Sequence, residues 1–427
     1  MASTAAEPRL PLKNVVVVGG SYVGLATADE LIKTLPATHR VVVVERNSHF
    51  GHLDCELALA DDNHDNGNSF AYPRFAIIPS HEHKAFIPFT PMLPAPHSIL
   101  RGTALSLSST TVTLDRPVDG SMSNELAYDA LVLATGTKLS PPGTMPGSGE
   151  KREGIEYLRG IQSKLRDGKE VVILGGGAVG VQMACDLALL DPSKSITLIH
   201  SRPHLMPRFH PALHEIVKKR FDELGIKTIL GSRAKVPQCG FDGWREGDEV
   251  ETVDGKKVRA DYVIQSTGQT PNSSLLSAVA PSAILPNGFI AVTPSFVVTP
   301  SNAAEQLGGK VFAVGDVAES GAPKAARPAL VHAAIVARNI AKLLEGGSAD
   351  SYETFTPSPG AIHLTLGIRE SVIFRNPSSR HTASGDVEWE GEPEVVWKDD
   401  GREDMGIEGV WERRVPGFVQ GVDSYHL

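Results

Sequence analysis

Two glycine-rich strings carry most of the chemistry in this chain. Gly19-Gly20-Ser21-Tyr22-Val23-Gly24 follows the apolar run Val15–Val18, and Gly175-Gly176-Gly177-Ala178-Val179-Gly180 follows Val171–Leu174. In the pattern G-x-G-x-x-G the first glycine makes a tight turn, the second lets the backbone approach a pyrophosphate, and the third lets a helix pack closely on the strand. The helix N-terminus then faces the phosphate charge. The second string meets the pattern in full. The first has Ser21 in the middle position, which adds one Cβ and a hydroxyl that can itself donate to phosphate.

The two turns lead to strands with different ends. After the first, the strand Arg40–Glu45 ends in Glu45, at the spacing where a carboxylate accepts from the adenosine ribose hydroxyls. After the second, Ser195–His200 runs into Ser201 and Arg202 with no acidic residue. A carboxylate would repel a 2′-phosphate, whereas His200, Ser201 and Arg202 can bind one, so NADPH is expected to be accepted somewhat better than NADH.

The elements that must position these turns are legible as patterns. Runs of four aliphatic residues suit strands buried on both faces of a parallel sheet, and small-residue helical patterns begin near Tyr22 and Ala178. Tyr128–Gly136 and Asp261–Gly268 are two copies of a strand ending in Thr-Gly, Lys310–Asp316 is a late strand ending in Gly-Asp, and Arg327–Leu344 is a long helical pattern. The fold class is therefore α/β, with two Rossmann-like dinucleotide-binding domains and a small α+β C-terminal module. The expected divisions are 10–145 with 268–345 for the first domain, 146–267 for the second and 346–427 for the module, which holds the short β-like runs Ile362–Leu366 and Ser371–Phe374. Asp54–Ser69, polar and rich in Asp and Asn, is expected to be a surface insert.

Composition removes other classes. The formal charge of 41 − 50 = −9 gives no general attraction to nucleic acid or to an anionic bilayer. No apolar run approaches the roughly 18–20 residues of a membrane-spanning helix. Cys55, Cys185 and Cys239 are too few and too scattered for a disulfide framework or a zinc cluster, and Cys185 falls on an apolar helical pattern and is expected in the core. His49, His52, His81 and His83 lack an accompanying thiolate or carboxylate pattern, so no metal is expected. His210-Pro211 is expected to open a helix rather than to supply an acid or base.

The two nucleotide units, the turns Ala134–Gly136 and Ser266–Gly268, and the strand ending in Gly315-Asp316 together resemble the two-dinucleotide-binding-domain flavoproteins over about residues 12–345. The strings GGGAVGVQMACDL, SITLIHSRPHLMPR, PRFAIIPSHEHKAFIP, VFAVGDVAESGAPKAA and IHLTLGIRESVIFR resemble in particular the apoptosis-inducing-factor-like oxidoreductases, among them quinone-reducing ferroptosis suppressors, and most of all their fungal branch. That resemblance implies FAD on the first unit, held by Gly19, Gly20, Ser21, Tyr22, Val23, Gly24, Glu45, Arg74, Gly102, Ala134, Gly136, Asp316 and Lys324. It implies NAD(P)H on the second, held by Gly175, Gly177, Gly180, His200, Arg202 and Gly268. Within the FAD set, Asp316 would bond the ribityl-pyrophosphate region, the backbone near Gly102 would face the adenine, and Lys324 would lie beside the isoalloxazine. Gln182 stands where several relatives carry Glu; it and Lys324 are the candidate catalytic residues. Disulfide reductases of this architecture need a CxxxxC pair after the first ribose acid, where only Cys55 occurs, so no redox-active disulfide is expected.

The expected activity is that of an FAD-dependent NAD(P)H oxidoreductase passing hydride to FAD and electrons to a small-molecule acceptor, a quinone. A tailoring or detoxifying oxidoreductase and a cell-death signalling flavoprotein are the alternatives. The N-terminal MASTAAEPRL lacks the apolar core of a secretory leader and the C-terminal SYHL is no lipidation signal, so a cytoplasmic placement is expected, with peripheral contact to a mitochondrial or lipid-droplet membrane as the alternative.

Overall fold

Alternate residues of a buried strand must satisfy two different cores, and the valine runs of this chain do so. Val15 and Val17 pack into one apolar cluster with Ala28, Leu31, Val336 and Ile340, while Val16 and Val18 face another with Leu100, Leu131 and Ile290. The computed structural model describes residues 11–51, 71–89, 92–118, 120–145, 147–238, 240–241, 247–302, 304–305, 307–324, 326–382, 387–421 and 424–426. The segment Asp54–Ser69, His52, Cys55 and Cys239 lie outside them.

The chain begins β1 (Lys13–Val18), α1 (Tyr22–Thr34), β2 (His39–Glu45), α2 (Ala71–Phe75), β3 (Ser98–Arg101) and β4 (Ala130–Leu133). It continues α3 (Lys151–Asp167), β5 (Glu170–Leu174), α4 (Ala178–Leu190), β6 (Ser195–Ile199), α5 (Pro211–Glu223), β7 (Lys227–Ile229) and β8 (Tyr262–Gln265). Then come β9 (Val311–Ala313), α6 (Ala326–Leu344), β10 (Ala361–Thr365), β11 (Ser371–Arg375), β12 (Glu394–Lys398) and α7 (Ile407–Arg414).

The first sheet has the order β9-β4-β1-β2-β3 and the second β7-β6-β5-β8, every pairing parallel. In both, the strand that precedes the glycine turn is central and the order reverses beside it, the position where open α/β sheets bind ligands. The C-terminal module adds the antiparallel sheet β10-β11-β12 and the helix α7. His210 caps α5 through its Nδ1, which accepts from the Ala212 N–H at 3.3 Å, and Pro211 occupies the first helical position. No helix among the described residues is long and apolar enough to cross a membrane.

Two devices hold these units together. The two Thr-Gly turns do more than close their own sheets: Thr137–Leu139, leaving the first, pairs antiparallel with Gln269–Pro271, leaving the second. The connection between the nucleotide units is thus double-stranded, and Ser140 Oγ reinforces it by donating to the Thr267 carbonyl at 2.8 Å.

The second device is a buried ion pair. Arg74 on α2 donates from Nε to Asp186 on α4 at 2.5 Å, and from its two terminal nitrogens to the Arg402 and Gly367 carbonyls of the C-terminal module, each at 3.1 Å. Burial pushes the Asp186 carboxyl up from its ordinary range, and Arg74 opposes that. Around the pair, one apolar cluster runs from Tyr22, Phe50 and Phe75 through Met183 and Leu187 to Phe374 and Trp411.

Removing one partner of a buried pair leaves an uncompensated charge, whereas removing both with apolar replacement often does not. Arg74→Met should lower unfolding free energy by about 3–5 kcal/mol, and Arg74→Met with Asp186→Leu should recover most of it. Urea denaturation of the two variants checks this; equal losses would mean that the pair is not what matters there.

Candidate functional site

The first glycine turn is built where no side chain fits. Gly19 has φ +110°, and a Cβ on it would lie 2.3 Å from the Ala134 carbonyl oxygen; one on Gly24 would lie 1.8 Å from the Gly19 carbonyl oxygen. The close approach lets α1 start directly over the C-terminal end of β1. Gly20 N–H donates to Glu45 Oε2 at 2.6 Å and Asn47 N–H donates to Oε1 at 2.8 Å, so the backbone aims the carboxylate at the end of β2. Gly102 N–H donates to the Glu45 carbonyl at 2.9 Å, which brings that strand end to the same place. Ser21 is the N-cap of α1, and its hydroxyl makes no bond to the helix.

The second turn repeats this plan. Gly175 has φ +113°, with the Ser266 carbonyl oxygen 2.3 Å from where its Cβ would be, and a Cβ on Gly180 would lie 2.0 Å from the Gly175 carbonyl oxygen. Gly176 N–H donates to His200 Nδ1 at 3.1 Å, the counterpart of the bond from Gly20 to Glu45. An uncharged imidazole therefore occupies the place of the carboxylate, with its proton on Nε2 when Nδ1 accepts. Burial first, and the adjacent Arg202 guanidinium second, hold its pKa below the ordinary histidine value. Ser201 and Arg202 are exposed beside it. A Cβ on Gly177, the N-cap of α4, would meet nothing within 4 Å, so the space over this helix start is open.

The Thr-Gly turns border both sites. Gly136 and Gly268 have φ of +61° and +72°. Thr135 and Asn272 exchange bonds at 2.7 and 2.8 Å, from the Thr135 hydroxyl to the Asn272 carbonyl and from the Asn272 amide to the Thr135 carbonyl.

Asp316 follows β9 on the turn at Gly315, where an added Cβ would meet Val23 of α1 at 3.3 Å. It therefore joins Gly19 to Gly24 at one end of the sheet. Burial pushes the Asp316 carboxyl up to about 6, against the pull of Lys324 and Arg208. Lys324 Nζ donates to the Ala318 carbonyl at 2.6 Å, lies 3.8 Å from Glu319 and sits 4.3 Å from the centre of the Phe289 ring. Burial lowers its pKa more than Glu319 and Asp316 raise it.

Two of the residues expected at the site are elsewhere. A side chain that touches a bound molecule presents surface to it, and Arg74 and Gln182 are each 1% exposed in the protein alone. The Arg74 guanidinium is engaged in the buried pair, and Gln182 hydrogen-bonds the Asp186 carboxylate of that pair. Arg74 thereby ties the units together, and Gln182 lies one turn before Asp186 on the same helix, α4. The resemblance pointed to Arg74 by carry-over along the string PRFAIIPSHEHKAFIP and to Gln182 by its place after the second glycine turn; their burial is a product of packing between α2 and α4. Cys185 is fully buried, which raises its thiol out of the reactive range.

Sequence reasoning did not single out Asn376, in the loop after β11, or Arg208, the last residue of the string SITLIHSRPHLMPR. Asn376, after β11, accepts from the His210 N–H at 2.9 Å and donates to the Arg208 carbonyl at 3.3 Å. It holds the loop after β6 against the C-terminal module.

Two glycine-turn units on parallel sheets, joined by a paired linker, define a two-dinucleotide-binding-domain oxidoreductase. Residues 91–337 match the pyridine nucleotide-disulphide oxidoreductase family. The chain belongs to that family, among its apoptosis-inducing-factor-like FAD oxidoreductases.

It is similar to Fe-regulated protein 8 of Mycosarcoma maydis, 33% identical over 94% of this chain and 95% of that one. It is also similar to ferroptosis suppressor protein 1 of Xenopus tropicalis, 26% identical over 83% and 86% of the two chains. Among solved structures, the sulfide:quinone oxidoreductase of Aquifex aeolicus shares the fold with a TM-score of 0.66 at 19% identity, covering 94% of this chain and 91% of that one. Members of this class are flavoproteins that use FAD and NAD(P)H.

The raised pKa of Asp316 sets a pH dependence for the flavin-free protein. The folded carboxyl holds its proton more tightly than the unfolded one, so its contribution to stability is present at low pH and is lost as pH rises from about 4 to about 6. Asp316→Asn lacks that loss. The stability of the variant relative to the parent should grow by about 1–3 kcal/mol between pH 4 and 7 and then level off. Thermal melts across this range check it, and a constant difference would refute the assignment.

Proposed function

We propose that this protein passes hydride from NAD(P)H on the second unit (146–267) to FAD on the first (10–145 with 268–345), and electrons onward to a quinone-like acceptor. Bound flavin supplies the redox chemistry, taking two electrons from the nicotinamide and returning them to the acceptor. The observation that carries this reading is the paired geometry of Gly20 with Glu45 and Gly176 with His200, two equivalent turns ending in different groups.

The residues fit the groups assigned to them. Glu45, with both oxygens already oriented by backbone N–H donors, keeps its remaining lone pairs for ribose hydroxyls. Gly20 leaves room for the Glu45 side chain, which a Cβ there would approach to 2.9 Å, and Asp316 sits at the end of the same sheet to meet the ribityl chain. On the second unit the open space at Gly177 admits the NAD(P)H diphosphate at the start of α4. His200, Ser201 and Arg202 carry no negative charge, and Arg202, exposed and without an ion pair among the described residues, can pair with a 2′-phosphate, which favours NADPH modestly over NADH.

A quinone acceptor is supported by the resemblance to the quinone-reducing ferroptosis suppressors, and such a reaction needs no side-chain nucleophile.

The visible spectrum of the purified protein, followed by anaerobic NADPH and then a soluble quinone, tests the whole scheme. Flavin bands should bleach and then return. Flavin that bleaches but ignores quinones would point to another small organic acceptor. Gly177→Val should keep the bands and the melting temperature yet lose reduction by NADPH; an unchanged rate would remove the second turn from the coenzyme site. Arg202→Ala should raise KM for NADPH about tenfold, on the scale of one charge-assisted contact, with a smaller change for NADH, and equal effects would remove its 2′-phosphate role.

A further inference from the structure

Lys324 is poorly placed to supply positive charge by itself. Its ammonium donates to the Ala318 carbonyl, lies 3.8 Å from Glu319 and is within electrostatic reach of Asp316. Two carboxylates thus face one cation at the end of the sheet where the flavin ring is assigned. A centre that receives two electrons has to accommodate negative charge, and a site that is locally anionic resists it.

A second cation reaches this place from another unit. Arg208, on the loop between β6 and α5, is exposed, makes no ion pair among the described residues, and lies within electrostatic reach of both Asp316 and Lys324. Its position is held from two sides. Asn376 binds its carbonyl and the next-but-one N–H, and Phe209 packs edge-on against Phe374 of β11 with ring centres 6.2 Å apart. Gly360 completes the junction: a Cβ there would lie 3.6 Å from Pro323, the neighbour of Lys324, and 3.9 Å from Phe209. The loop of the coenzyme unit, the turn carrying Lys324 and the hairpin of the C-terminal module therefore meet at one point.

We propose that Arg208 is a positioning residue of the redox centre, brought across the junction of the three modules by Asn376 to supply the positive charge that offsets Asp316 and Glu319 and favours negative charge on the reduced flavin. With Arg208 the four side chains sum to zero; without it the cluster carries one net negative charge. The proposal rests on the assignment of FAD to the first unit.

Sulfite tests it without turnover. Sulfite adds to oxidised flavin, bleaches its visible band and leaves negative charge on the ring, so its dissociation constant reports positive charge nearby. Arg208→Gln should raise that constant at least fivefold while leaving the flavin content and melting temperature as in the parent, since Arg208 is exposed. Arg208→Lys should stay within about threefold of the parent, because charge rather than the guanidinium fork is at issue. Asn376→Ala, which alters no charge, should also weaken sulfite binding by loosening the loop.

A sulfite affinity in Arg208→Gln within twofold of the parent would overturn the proposal while leaving the flavin assignment intact. Parent protein without flavin bands would overturn both.

Discussion

The structure depends on one constraint used twice: a helix must begin so close to the end of a buried strand that no Cβ fits between them. At Gly24 and at Gly180 an added Cβ would lie 1.8 and 2.0 Å from a carbonyl oxygen of the preceding turn, well inside van der Waals contact. Glycine at these positions lets the first turn of each helix point its unpaired N–H groups at the space above the sheet. The neighbouring N–H groups of Gly20 and Gly176 are satisfied sideways, by Glu45 and by His200. That bond needs only an acceptor, which is why an imidazole can replace a carboxylate without disturbing the turn. The replacement changes the charge offered to a nucleotide and keeps the geometry.

Two sites built this way are useful only if they face each other, and the fold holds them with contacts outside the turns themselves. The double-stranded linker between Thr137–Leu139 and Gln269–Pro271 limits how the units rotate. The Arg74–Asp186 pair, closed by carbonyls from the C-terminal module, ties all three parts at a point with no access to solvent. Burying this pair is costly unless its polar atoms are met, and Nε and both terminal nitrogens of Arg74 each have one partner, while Asp186 Oδ1 has none among the described residues. Gln182 adds a further bond to Asp186. The same cluster explains why α4 is apolar on nearly all sides: it packs on its own sheet, on α2 and on the C-terminal module.

Electrostatics at the junction result from this arrangement. Asp316 is placed by the chemistry of its own unit, at the end of β9 against the start of α1, and burial keeps its carboxyl weakly acidic. Lys324 is partly neutralised by its carboxylate neighbours and by the Ala318 carbonyl. The balance of charge is decided by a loop from the second unit, held by an asparagine from the third.

Much of the fold was legible in the chain. The valine runs, the glycine turns, Glu45, the two Thr-Gly strands, the Gly-Asp strand and the helix after it depend on interactions between residues close in sequence, so each leaves a local pattern. The short strands of the C-terminal module and the Pro-started helix at Pro211 were readable for the same reason. The roles of Arg74, Gln182, Asn376 and Arg208 were not. Arg74 meets Asp186 and Gly367 only after three modules pack, and no local spacing separates a buried guanidinium from one that faces a ligand. Substituting His200 for an acid was visible in the sequence; that it would take the same backbone hydrogen bond was not. Short-range sterics and hydrogen bonding determined the two nucleotide sites, whereas desolvation and long-range charge, which depend on what packs around a side chain, were decided by the tertiary structure.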